Sequence, residues 1–352
     1  VTEEKEYQLT EEDLAPFLEG LLAALPQQQD YQKGFEQRLY ERWKEPLDLF
    51  EITHGLGREI TARFSQFVQP YATKQQDFVF DVLVRLHIRA CQTGSAVLSL
   101  LKSGHADDAL ARARTLHELY ATAKFINMHG NDTAKRYRLY EVVESLKAAR
   151  DYEKHYSQLG LEPLDPDTSS KLEELVDQYR ARFGQEFAKR ITYGFYGWAL
   201  EDLELKGKKP PTFEDIEDAV GLAYMRPYYK MASYPVHASA KGLTFTLGKI
   251  GSYDFMPAGP SNAGLADPGS LAISSFYQCT VLLLRYPVYA NEPALKESHN
   301  NAWLDDKVLK ALVVKTKQAF LEVHHQLVED ELLIQAEEEG DPYQRFVYKF
   351  EQ

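Results

Sequence analysis

Cysteine is nearly absent from this chain: 352 residues hold two, Cys91 and Cys279. That excludes a disulfide framework of the secreted kind, and with no CxxC or Cys/His ligand spacing there is no zinc site to expect. Both thiols sit in apolar, helical-looking stretches, where cysteine serves as a small hydrophobe. Long apolar runs are missing too, since the stretch from Cys279 to Leu284 falls far short of the roughly 18 residues a membrane helix needs. The polar, acidic start lacks the basic-then-apolar layout of a signal peptide, so the expected location is the cytoplasm, with no membrane partner.

Positive charge is in deficit, with 40 Lys and Arg against 53 Asp and Glu and a net charge of −13. Phosphate polymers repel such a chain at long range, which excludes a general nucleic-acid coat but leaves room for one RNA strand on a local basic patch. GxSxG, HExxH, Walker and EF-hand patterns are all missing, so no cofactor and no metal are expected. Strand-like alternation is missing as well.

What is present is helical periodicity, which predicts an all-α protein, a multi-helix bundle. Thr10-Glu11-Glu12-Asp13 has the form of a capping box, opening a helix with Leu14, Phe17, Leu18, Leu21 and Leu22 on one face. Gln27 to Asp30 reads as a polar break. Pro46 and the pair Gly55 and Gly57 interrupt the next run, and Pro70 closes it. The longest signal, Gln75 to Ser103, turns Phe78, Val82, Leu86, Ala90, Val97, Leu98 and Leu101 inward and stops at Gly104. Asp107 and Asp108 open a helix reaching His129, and Asn131 opens another reaching His155 or Ser157. Helices are further expected at Ser169 to Lys189, from Thr212 to near Tyr229, at Ser270 to Arg285 and at Asp305 to Asp330. Between them, Gly242 to Gly269 reads as a long irregular loop. The expected organisation is an N-terminal helical extension over residues 1–70, a helical core over 71–335 and an acidic tail over 336–352.

Two segments place polar groups where packing alone would use Leu and Ala. In the first, Arg114 and Glu118 stand one helical turn apart with His117 on the adjoining edge, on a helix whose Leu116, Leu119, Ala123 and Ile126 face a core. A wet ion pair worth about 0.3–0.5 kcal/mol accounts for that spacing, and so does a polar stripe facing a cleft. In the second, Tyr229, Ser233 and His237 recur every four residues, with Pro235 set to kink the helix beside the histidine. Imidazole, with a pKa of about 6.5, suits proton transfer at neutral pH, and it suits equally a hydrogen bond that holds a helix end. His325 and Glu329 share a turn as well, on what reads as a solvated acidic face.

Arg114-Thr115-Leu116-His117-Glu118, preceded by a helix ending Leu100-Leu101-Lys102-Ser103-Gly104, resembles the RxLxE element of a group of bacterial all-helical proteins catalogued as a domain of unknown function. Tyr229, Ser233 and His237 are similar to that group's second element, YxxxSxxxH, and the likeness covers about residues 75 to 245. The group resembles the HEPN-like four-helix proteins, many of them ribonucleases or toxins in phage-defence systems. The resemblance implies a four-helix HEPN-like core, a metal-independent ribonuclease or toxin, an RNA substrate, a homodimer and a protein partner from the same locus. It also implies roles. His237 would be general acid or base, Arg114 would stabilise the phosphorane, Glu118 would orient one of them and Ser233 would complete the catalytic set, with His117 and Tyr229 binding substrate. One departure stands out: such nucleases carry Arg and His four to six residues apart on one helix. Here the nearest preceding arginine is Arg226, with Pro227 and Pro235 intervening, so Arg114 would have to supply the cation from a facing helix. The alternative expectation is a non-catalytic sensor or scaffold subunit, whose polar residues form a network fixing helix register.

Overall fold

The structure, a computed structural model, describes residues 10–183, 195–203, 205, 210–237, 239–249, 258–286 and 295–339. The protein is all-α, and among the described residues there is no strand. Helix α1 (Glu11–Gln75) is followed by α2 (Phe78–Lys102), α3 (Ala106–His129), α4 (Asn131–Leu139), α5 (Glu141–His155) and α6 (Pro166–Phe183). After a 3-10 turn at Gly197–Ala199 come α7 (Phe213–Ala219), α8 (Arg226–Met231), α9 (Ala266–Leu284) and α10 (Lys296–Glu339). None of these helices is long and apolar enough to cross a membrane.

Helix α9 is the apolar centre of the bundle, packing on α3, α2, α1 and α10. Its Ala272, Ile273, Phe276 and Leu283 are buried, together with Ala113 and Leu116 of α3 and Val97 and Leu101 of α2. Leu39, Trp43, Leu47 and Phe50 of α1 are buried in that core, and Phe64 and Val68 in a second one with Leu283, so the part of residues 1–70 from Leu39 onward packs with the rest. From Thr10 to Tyr31 the helix is solvent-covered on nearly every side.

The capping box forms as expected, with Thr10 Oγ1 accepting from the Asp13 amide and the Asp13 carboxylate accepting from the Thr10 amide. The breaks expected inside α1 do not occur. Helix continues through Gln27–Asp30, Pro46, Gly55, Gly57 and Pro70, and Pro46 costs only a kink, seen as the non-helical residue Trp43. Gly57 is a packing residue, because a Cβ there would lie 2.7 Å from Cε1 of Phe276 on α9. Gly104 does end α2 in the left-handed region, at φ +78°. The helix expected from Asn131 to His155 is two, α4 and α5, meeting at Tyr140. The helix expected from Thr212 to Tyr229 is also two. Gly221, at φ +70°, turns the chain after α7, and Pro227 sits in the first turn of α8, where its missing N–H costs nothing. Helix α9 starts at Ala266, four residues earlier than expected. Ahead of it, Thr246 and Leu247 are tied to Asp107 at the start of α3, with Thr246 Oγ1 donating over 2.6 Å and the Leu247 amide over 3.0 Å.

Candidate functional site

The polar stripes of the two segments meet. Arg114 and Glu118 lie on one face of α3, which is met by Tyr229 of α8 and by Ser233 in the turn after it. Arg114 donates from Nε to Glu118 Oε1 at 3.0 Å, from Nη1 to Ser233 Oγ at 3.1 Å and from Nη2 to the Tyr229 hydroxyl at 2.9 Å. Tyr229 passes its own proton to Glu118 Oε1 over 2.8 Å, and Ser233 donates to the Tyr229 carbonyl over 2.8 Å. The guanidinium carbon lies 4.4 Å from the centre of the Tyr229 ring, within cation–π range. Burial first, and then the neighbouring Glu118 carboxylate, push the Tyr229 phenol up to about 12, so it stays a hydrogen-bond donor at neutral pH.

A second polar set lies beneath. His117 is buried, and its Nε2 donates to Glu217 Oε1 on α7 over 2.7 Å, while Arg226 Nη2 pairs with Glu217 Oε2. Arg226 also stands 5.1 Å from the Tyr229 ring centre, and Phe213 stacks on that ring at 4.9 Å. Each carboxylate, Glu118 and Glu217, thus ties the α7–α8 segment to α3. His117 faces α7 from within the core. Arg112 is exposed.

His237 is not part of this cluster. Helix α8 ends at Met231, and the chain runs on in turns past Pro235, with the His237 amide donating to the Ser233 carbonyl at 3.2 Å. Its side chain is exposed. His325 and Glu329 are exposed on α10, and among the described residues no group of three metal-ligating side chains forms.

Arg114 and Glu118 form one wall of a cleft of about 600 Å³. Its other walls carry Arg85, Arg138 and Glu144 and the aromatic rings of Tyr196 and Trp198. Arg85 and Arg138 share one acceptor, Asp81. Burial, with repulsion from Glu141 against the opposing pull of Lys147, raises the Glu144 carboxyl. The sequence pattern marked Arg114 and Glu118 of this cleft but not Arg85 and Arg138, which lie far apart in sequence on α2 and α4. Arg136 also escaped notice. It is buried on α4, with Nη1 on Glu201 at 2.8 Å, Nη2 on Asp202 and Nε on the Trp198 carbonyl at 3.2 Å, and so holds the 3-10 turn at the cleft floor. An arginine in a charged helix gives no sign of burial until its partners are known.

Comparison with curated proteins and with solved structures finds no match. Residues 80–251, just under half of the chain, match the model of a family of unknown function, DUF5677, and every one of Arg114, His117, Glu118, Tyr229, Ser233 and His237 lies within that span.

Proposed function

We propose that the chain is a non-catalytic helical module, a sensor or scaffold subunit, in which the Arg114 cluster clasps the α7–α8 segment to α3. The observation that carries this reading is the closure of the cluster on itself. Nε, Nη1 and Nη2 of Arg114 each donate to an acceptor of this chain, and Tyr229 and Ser233 use their protons on Glu118 and on a backbone carbonyl. Three of the five guanidinium N–H groups are thereby spent inside the chain, and the two left for phosphate oxygens would still need a general base at the same point. None of the cluster's hydrogen bonds involves the His237 side chain.

A second reading, the metal-independent ribonuclease of a HEPN-like effector, draws on the cleft. Arg85, Arg114 and Arg138 line it and offer a local basic patch on an acidic chain. In that reading Glu118 orients Arg114, and Ser233 and His237 complete the set once the strap after α8 swings inward. A cytoplasmic homodimer with a partner from the same locus is the setting proposed with either reading.

A single-turnover assay on a mixed cellular RNA pool with EDTA separates them, run with wild type, Arg114→Ala and His237→Ala. The clasp reading expects no cleavage by any of the three. RNA cleavage by wild type that is lost in a folded His237→Ala protein would overturn it in favour of the ribonuclease.

A further inference from the structure

The first six turns of α1 carry an apolar stripe that nothing described covers. Leu14, Leu18, Leu21 and Leu25 repeat at intervals of four, three and four, the spacing of a helix–helix seam, and are 42%, 55%, 64% and 43% exposed. Phe17 and Leu22 widen it. From Thr10 to Gln32 the chain has no Lys or Arg, against Glu11, Glu12, Asp13, Glu19 and Asp30. Pro16, Gly20 and Pro26 are poor helix formers, so this arm gains little from intrinsic propensity and needs a packing partner. Its charge opposes an anionic lipid surface, and two such arms side by side repel each other.

The chain itself holds a segment of the complementary kind. Residues 343–350, outside the described residues, read Tyr-Gln-Arg-Phe-Val-Tyr-Lys-Phe, with Arg345 and Lys349 and no carboxylate. Tyr343, Phe346, Val347 and Phe350 recur at the spacing of one helical face. Helix α10 points this segment at the arm. It runs antiparallel to α1, with Arg63 facing Asp305 at 3.7 Å, Thr53 facing Thr316 at 3.4 Å and Arg42 paired to Asp330 at 2.7 Å. Its remaining length from Asp330 to Glu339, about 14 Å, carries it alongside α1 to the neighbourhood of Lys33. Residues 340–350 are enough chain to span at most about 36 Å fully extended. That reach takes in Leu25, Leu22, Leu21 and Leu18.

We propose that residues 343–350 dock on the α1 arm of the same chain, laying Phe346 and Phe350 on the leucine stripe with Arg345 and Lys349 toward its carboxylates. The inference is independent of the Arg114 cluster and of either functional reading.

Hydrogen–deuterium exchange on the full-length chain tests it, with sedimentation velocity run on the same samples. Expected is protection of residues 10–30 and 343–350 in monomer and dimer alike. In full-length Phe346→Asp/Phe350→Asp the arm should exchange at least tenfold faster, and in Leu18→Asp/Leu21→Asp residues 343–350 should do the same. Arg345→Glu/Lys349→Glu should act in the same direction. An arm equally protected in the Phe346→Asp/Phe350→Asp variant would overturn the proposal, since something else would cover it. An unprotected arm in wild type would overturn it too. So would protection found only in a dimer, which would make a second copy the occupant.

Discussion

At the scale of single residues, Arg114 does work that no other side chain replaces. Lysine keeps the charge but has one nitrogen where the clasp uses three, so Arg114→Lys should lose most of what Arg114→Ala loses, about 2 kcal/mol. Chemical denaturation of both variants checks this, and a lysine variant as stable as wild type would contradict the geometry. His87 makes a prediction of a different kind. It is buried, with Nε2 against Thr280 Oγ1 at 3.0 Å and Nδ1 against Cys91 Sγ at 3.5 Å. Thr280 spends its own proton on the Phe276 carbonyl, so His87 must donate from Nε2 and keep Nδ1 unprotonated. Burial, and then the nearby His54, bring its pKa from 6.5 down to about 4. The unfolded imidazole takes up a proton below about pH 6.5 and the folded one only below about pH 4, so stability is lost as pH falls through that window, on the order of 3 kcal/mol. Thermal melts of wild type and His87→Gln across pH 4 to 7 should show a smaller acid-side loss in the variant, where buried His54, its imidazole also lowered by burial, still contributes. Burial also pushes the Cys91 thiol up to about 11, which predicts slow reaction with thiol reagents at neutral pH despite its half-open position.

Among the elements, close helix approach decides what glycine and proline mean. In Gly57→Ala the new methyl meets the buried ring of Phe276, and in Gly94→Ala it meets the ring of His54, each at 2.7 Å. Both substitutions raise helix propensity, yet both should destabilise by about 2 kcal/mol, because fully packed rings cannot step aside. Higher melting temperatures would show that α1 and α2 stand farther from their neighbours than described. This is also where sequence and structure part. Helices α2 and α3 were legible to within three residues, α2 from its apolar face and α3 from its acidic opening at Asp107 and Asp108. Gly57 looked like an interruption because the sequence does not reveal that Phe276 of α9 arrives against it. The candidate site was legible in the same partial way. Spacing singled out Arg114, Glu118, Tyr229 and Ser233, and all four meet. His237 was grouped with them by four-residue spacing on a helix kinked at Pro235 and by the YxxxSxxxH resemblance, whereas α8 ends six residues before it.

For the molecule as a whole, buried phenols set an alkaline limit. Burial is the leading cause that pushes Tyr137, Tyr140, Tyr229 and Tyr277 up to about 12, and Tyr179 and Tyr196 higher still. Unfolded phenols ionise near pH 10, so stability should hold below that pH and fall steeply between 10 and 12. A spectrophotometric titration should therefore show tyrosinate appearing together with loss of helical circular dichroism. Ionisation of all 22 tyrosines near pH 10 with the helices intact would contradict that burial. The pairing of α1 with α10 has a consequence for the chain as it is being made. Thr53 meets Thr316 across 263 residues of sequence. At about 5–20 residues per second, the ribosome takes roughly 10–50 s to supply the second partner after the first. Through that interval the α10 side of α1, where the Trp43 ring lies 6.0 Å from that of Phe320, has no helix to lie against, which makes the nascent α1 a natural client for chaperones at the tunnel exit.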